Sequence, residues 1–152
     1  MSSRPATGTH SGTMTVVTRT LSFATKGDAH VVNITSRLHD LLEETGLTAG
    51  TATVFAPGAT AGITTLEYEQ GVVQDFKRLF DQIVPPDQRY AHNVHLGDGN
   101  GHSHVRAGLL GPSLVVPFTE GRLTLGTWQD VCFVCFDNRA RDRTIVVQFM
   151  GV

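Results

Sequence analysis

Glycines and prolines cut this sequence into short pieces, and that punctuation constrains the fold more than any other feature. Gly46, Pro57-Gly58, Pro85-Pro86 and Gly111-Pro112 each follow a patterned apolar segment. No apolar run approaches the roughly 20 residues of a membrane span, and the N-terminus lacks the apolar core of a signal peptide. A chain divided this way must assemble its core from many short elements. It has 152 residues, 40% hydrophobic and 17% charged. That length suits one self-sufficient domain, burying ~68–70% of the surface an unfolded chain exposes.

The pieces read as follows. Thr15 to Thr25 (TVVTRTLSFAT) is a Thr/Val-rich strand, and Lys26-Gly27-Asp28 is a turn leading to a second strand, Ala29 to Ile34, in a hairpin. Thr35 or Ser36 caps a helix carrying Leu38, Leu41 and Leu42, which Gly46 stops. Gly50 to Ala56 and Ile63 to Tyr68 are strands. Val72, Phe76, Leu79, Phe80 and Ile83 form a helical stripe that Pro85-Pro86 ends. Tyr90 to His102 is a polar, glycine-dense loop, followed by a short apolar piece, Val105 to Leu110. Strands follow at Ser113 to Phe118, Arg122 to Leu125, Thr127 to Phe136 and Thr144 to Met150. The expected class is α+β, a single compact domain with a mixed or antiparallel sheet and helices packed on it. Residues 1–13 hold almost no apolar side chains and read as a flexible tail ahead of a domain spanning 14–152.

Charge excludes some functions. The net charge of −2 offers no general attraction to nucleic acid or to an anionic membrane. Two cysteines make no disulfide framework, and a cytoplasmic protein is expected. Cys132-Phe133-Val134-Cys135 matches CxxC, but on a strand positions i and i+3 face opposite ways, so two inert packed cysteines are expected. Gly97-Asp98-Gly99-Asn100-Gly101 satisfies no phosphate, calcium or dinucleotide motif and remains a loop whose N–H groups can face an anion.

The histidines carry more chemistry. His92, His95, His102 and His104 crowd beside Asp98 and Asn100, whereas His10, His30 and His39 are isolated. Histidine is both the commonest metal ligand and a general acid or base near neutral pH. If Gly101 to Val105 is extended, His102 and His104 share a face; on a helix they diverge and only one binds. Spacing alone leaves a metal or catalytic site and a solvated loop as equal alternatives. Trp128, the one tryptophan, is expected as a core anchor. Its alternative role is a flat wall for an aromatic ring, with Gln129 supplying hydrogen bonds.

An ordered string of motifs then points to a family. Tyr90-Ala91-His92-Asn93 and Asp98-Gly99-Asn100-Gly101-His102-Ser103-His104 precede Leu110-Gly111-Pro112-Ser113 and Gly121-Arg122-Leu123-Thr124-Leu125-Gly126-Thr127-Trp128-Gln129. With Ile34-Thr35 and Val147-Gln148, the chain from about Met14 to Val152 resembles the YjbQ family, also described as secondary thiamine-phosphate synthases. The resemblance implies a homotrimer with a polar cleft and a bound metal. It also implies weak synthase activity, joining a pyrimidine diphosphate to a thiazole phosphate with release of pyrophosphate. The family's histidines map to His92 and His104, with His102 typical of a subgroup, and its acid maps to Glu67. Two positions depart from the family pattern: Gly58 stands where many members have histidine, and Cys135 where many have an acid.

On this reading His92, His102 and His104 are the metal ligands, and clustered imidazoles favour zinc over magnesium. Glu67, Asp98 and Arg122 are the catalytic candidates, and Asn100, Ser113, Trp128 and Gln129 the substrate-binding ones. The partner is a small phosphorylated metabolite, with each site at or near a subunit boundary. The alternatives are a metal-assisted hydrolase of such a metabolite and a non-enzymatic metal- or metabolite-binding trimer.

Overall fold

Strands outnumber helices, as the punctuation predicts. The computed structural model describes residues 7–152. Among them the order is β1 (Thr15–Thr25), β2 (His30–Asn33), α1 (Thr35–Thr45), β3 (Ala49–Phe55), β4 (Ala61–Leu66), α2 (Gln70–Ile83), α3 (Ala91–Leu96), α4 (Gly101–Leu110), β5 (Ser113–Thr119), β6 (Arg122–Leu123), β7 (Asp130–Cys135) and β8 (Arg141–Gly151). The fold is α+β, and among the described residues every strand pairing is antiparallel. There are two sheets where one was expected, in the orders β1-β8-β3-β5-β6 and β2-β7-β4.

The smaller sheet lies at the centre of the packing, and β7 shows why. Its Val131, Phe133 and Cys135 enter a core with Leu38, Leu42, Ile145 and Phe149. Its Cys132 and Val134, with Phe136 beyond it, enter a second core with Phe80 and Ala107. Burial on both faces explains a run with no polar alternation. It also carries the two cysteine sulfurs to opposite sides, as expected, and burial pushes the Cys132 thiol up to about 12.

The expected hairpin between the first two strands does not form. β1 pairs with β8, from Thr15 opposite Gly151 to Thr25 opposite Arg141, while β2 pairs with β7. The turn between them switches the chain from one sheet to the other. Gly27, Asp28 and Ala29 all have positive φ, and a Cβ at Gly27 would lie 2.5 Å from the carbonyl oxygens of Asp137 and Arg139. Only glycine allows that approach.

Helix boundaries follow local chemistry. Gly46 stops α1 in the left-handed region, as expected, but the N-cap is Ile34, with the Asn33 side chain accepting from the Thr35 N–H. Along α2 the apolar stripe is wider than the face that packs: Phe80 is buried, whereas Leu79 and Ile83 are about half exposed. The expected loop at 90–102 is instead α3, a glycine-bounded connector and the start of α4. Left-handed Gly97 ends α3 and Asn100 caps α4. The glycines terminate and start helices here rather than leaving the segment open. Of the expected tail, residues 1–6 lie outside the described residues and 7–14 form no helix or strand. Among the described residues, no helix is long and apolar enough to cross a membrane.

Candidate functional site

The turn from α3 through Asp98 to α4 is pinned at several points. Tyr90, before α3, donates its hydroxyl to the Pro85 carbonyl at 2.6 Å. The Gly101 N–H donates to Asn93 Oδ1 at 2.8 Å, and a Cβ at Gly101 would come within 2.5 Å of Tyr90 Cβ, so the starts of the two helices touch. From the loop after β7, the Asn138 side-chain amide donates to the Asp98 carbonyl at 2.9 Å. The Asn138 backbone N–H donates to Asn100 Oδ1 at 3.2 Å.

This frame brings together His92 from α3, Asp98 from the connector and His104 from α4, with one donor atom of each within 4.8 Å of the others. The His92 and His104 rings are 4.4 Å apart between centroids. His104 Nδ1 lies 3.0 Å from the Ala59 carbonyl, which can only accept, so Nδ1 carries the proton and Nε2 keeps its lone pair in the neutral ring. His92 Nε2 lies 3.2 Å from Asp98 Oδ2. Two ligands each about 2.0 Å from a tetrahedral zinc are ~3.3 Å apart, so this pair already has the right separation. The Asn100 N–H, bonded to Asp98 Oδ1 at 3.1 Å, holds the Asp98 carboxyl below the usual range, with help from both imidazoles. Two imidazoles and one carboxylate fit zinc or a similar transition metal and leave a coordination position for a substrate or water.

His102 does not join them, which corrects the expected ligand set. Residues two apart on a helix diverge by about 200°, and the His102 ring points into the protein, 6% exposed. Its Nε2 lies 3.4 Å from Ser103 Oγ, and burial and the nearby Arg106 guanidinium lower its pKa. Asp98 takes a place in the triplet instead. His95 is exposed elsewhere on α3.

The remaining candidates separate. β4 begins beside the triplet, at Ala61 opposite Cys135, and ends at Leu66 opposite Asp130. Glu67 therefore lies roughly 20 Å along the strand direction from the triplet end, at ~3.3 Å per residue. At that far end the Gln129 side chain donates to Thr65 Oγ1 at 3.2 Å and accepts from the Gly126 N–H. Trp128 is 73% exposed and is no core anchor: it sits in a turn between β6 and β7 rather than at a strand position facing a core. Ser113 is exposed at the start of β5, and Arg122 lies on edge strand β6, in a separate cleft with His39, Glu43 and Glu120. One chain thus unites His92, Asp98, His104 and Asn100, and leaves Glu67, Arg122, Ser113, Trp128 and Gln129 apart.

Residues not singled out in the sequence complete the site's surroundings. Asp137 is 3% exposed on its side chain and accepts from Thr60 Oγ1, Arg141 Nε and Arg143 Nη2 at 3.0, 3.0 and 3.3 Å. Burial pushes its carboxyl up, but these donors outweigh burial and the net shift is downward. Arg143 also reaches Cys135 Sγ at 3.3 Å. The signal was present: Asp137-Asn138-Arg139-Ala140-Arg141-Asp142-Arg143 places arginines at every second position just after an apolar strand.

Known proteins share this arrangement of elements. The family model described as UPF0047 protein YjbQ-like matches residues 19–152. A UPF0047 protein of Methanothermobacter thermautotrophicus is 36% identical, covering 91% of this chain and 94% of its own. UPF0047 protein YugU of Bacillus subtilis is 35% identical, covering 88% and 98%. The crystal structure of a YbjQ-like protein of unknown function from Sulfolobus solfataricus superposes with a TM-score of 0.87 at 30% identity, covering 92% of this chain and all of that one. A Clostridium acetobutylicum structure of the yjbq/upf0047 family gives 0.79 at 35% identity, covering 86% and 98%. With its sequence matched over nearly its whole length and its fold shared, the chain belongs to the UPF0047 YjbQ-like family.

Proposed function

We propose that this chain is a metal-dependent enzyme acting on a small phosphorylated metabolite, with His92, Asp98 and His104 as the metal ligands. The observation that supports it is the convergence of these three donors, from three chain segments, with the His104 tautomer held by the Ala59 carbonyl. A divalent cation bound there supplies Lewis-acid charge to a substrate oxygen. The protein's own part is to hold the imidazoles and the carboxylate before the ion arrives, which the hydrogen bonds from Asn100 and Asn138 achieve. The reaction we assign is the one the family resemblance implies: joining a pyrimidine diphosphate to a thiazole phosphate, with pyrophosphate leaving. Hydrolysis is the weaker reading, because of the two carboxylate candidates for a general base Asp98 is taken as a ligand and Glu67 lies at the other end of β4.

The working unit is a homotrimer. Val94, Leu96, Val105 and Leu109, on α3 and α4 around the triplet, are each 45–69% exposed, and a neighbouring subunit would cover them. Closed symmetry also lets Glu67 or Trp128 of one chain approach the triplet of another. Zinc-loaded protein and His104→Ala should be assayed in parallel with the two thiamine precursors, with metal content and light-scattering mass recorded. Product formed by the zinc-loaded protein and abolished in the variant supports the reading. A protein that takes up no metal, or equal turnover by both, overturns it.

A further inference from the structure

Beside the triplet, the loop after β7 and the start of α4 enclose a cleft of about 330 Å³, lined by Asp98, Asn100, Asn138, Arg139 and Arg141. That is near the small end of the roughly 300–1,000 Å³ range of small-molecule sites. The geometry points to an anion subsite in this cleft that takes a phosphoryl group, with Arg141, Arg139 and Asn100 as its donors.

Arg141 is the best-placed of these donors. Its Nε is bonded to Asp137 Oδ2 at 3.0 Å, and Asp137 is itself fixed by Thr60 and Arg143. Among the described residues nothing accepts from the two terminal amino groups of Arg141, so the outer edge of its guanidinium is held in place with its donors open. A fork fixed this way loses little side-chain entropy on binding and matches two phosphoryl oxygens at once. Arg139 is exposed and forms no ion pair among the described residues.

Asn100 is an independent sign of a built site. It is 6% exposed and borders the cleft, and its Oδ1 is occupied by the Asn138 N–H. That bond fixes the amide orientation, and its Nδ2 has no acceptor among the described residues. The Nδ2 atom is not enclosed by protein, so its two N–H groups open onto the cleft, free to donate to a ligand or water there. Asp98 is the one acid on the cleft wall, and both its oxygens are engaged, by the Asn100 N–H and by His92. Two guanidinium groups against one engaged carboxylate favour an anion.

Asp98 also belongs to the metal triplet, so a divalent cation there would cancel the one negative charge facing the anion. Phosphate should then bind more tightly to zinc-loaded protein, and zinc should bind more tightly in phosphate by the same factor. This coupling rests on the metal reading proposed above; the arginine subsite itself does not.

The test is calorimetric titration of inorganic phosphate, pyrophosphate and acetate into the full chain, metal-free and zinc-loaded. Phosphate and pyrophosphate should bind to both forms, and acetate at least tenfold more weakly. Arg139→Ala, which removes an unpaired exposed side chain, should weaken phosphate severalfold with an unchanged melting transition. Arg141→Lys keeps the charge but loses the fork and should weaken it about tenfold. Phosphate affinity unchanged in both variants, or equal affinity for acetate, overturns the subsite. Zinc uptake is read separately. Phosphate that binds through the arginines in a protein taking up no zinc upholds the subsite while removing the metal reading. Phosphate binding only to zinc-loaded protein and indifferent to both arginines removes the subsite and leaves the metal.

Discussion

The two ends of the three-stranded sheet are built differently, although both carry residues of the kind that bind ligands. At the Ala61–Cys135 end, His92, Asp98 and His104 are each fixed by a bond to a backbone group or to one another. The surrounding carboxylate and arginines form a second connected network. At the Leu66–Asp130 end, Gln129 bonds to Thr65 and Asp130 accepts from Thr35 and from the Tyr68 N–H, but the candidate ligand-binding side chains Glu67 and Trp128 are exposed. Catalysis and tight binding require side chains held before the ligand arrives. Within one chain, the first end meets that requirement and the second does not; the second is a surface that becomes part of a site only against another molecule.

Metal affinity should separate the ends most strongly. His104→Ala should weaken zinc by at least about 100-fold, beyond the 10–100-fold typical of losing an outer-shell partner, as measured against a chromogenic chelator. Glu67→Gln should leave zinc affinity within a factor of two. An equal loss in Glu67→Gln would mean that the far end supplies a ligand, through a neighbouring subunit, and the contrast within one chain would collapse.

Stability should divide the same way. Asp137→Ala strands Arg143, whose side chain is 14% exposed, and should cost about 3 kcal/mol, the usual scale for breaking a buried pair. In thermal unfolding that corresponds to a drop of about 10 °C for a domain of this size. A fall of only one or two degrees would show that the arginine network is dispensable to the fold.

The same carboxylate makes a pH prediction. Its pKa is lowered in the folded protein, so its contribution is present above the ordinary carboxyl value of about 4 and is lost as pH falls through the lower folded value. Urea midpoints should therefore decline below about pH 4, and part of that decline should vanish in Asp137→Asn. A decline of identical slope in both proteins would assign acid sensitivity to other groups.

Trp128→Ala should have the smallest effect. An exposed side chain outside both cores should change stability by less than ~0.5 kcal/mol, leaving zinc affinity unaltered. A loss of several degrees at micromolar concentration, absent on dilution, would reveal that the indole is covered by another subunit, and would sharpen the comparison into one between a preformed end and an assembled one.

Much of the architecture can be read from single segments. Leu38, Leu41 and Leu42 with Gly46 define α1, and the unalternating run through Cys132 and Cys135 makes β7 a doubly buried strand with its thiols on opposite sides. These follow from backbone periodicity and from glycine's access to positive φ, both local properties. Trp128 was misread because size and hydrophobicity favour burial on average, whereas this one sits in a turn that reaches no core. The segment 90–102 was misread as a loop because its glycines, which break helices internally, here stand at helix ends.

The sequence by itself determined most of the strands, the first two helices, the α+β class and the family, because each is carried by local pattern or by an ordered string of motifs. Tertiary structure decided three further matters. The first was the switch of β1 and β2 into different sheets, since β1 finds its partner in β8 at the far end of the chain. The second was which histidines converge: the helical phase of α4 turns His102 inward and His104 toward His92 and Asp98. The third was the cleft with Arg139 and Arg141, which exists because Asn138 bonds to both Asp98 and Asn100, about 40 residues earlier. Periodicity along a chain specifies the face on which a side chain emerges, but a site is made where faces from distant segments meet, and that depends on packing and hydrogen bonds between residues with no local relation.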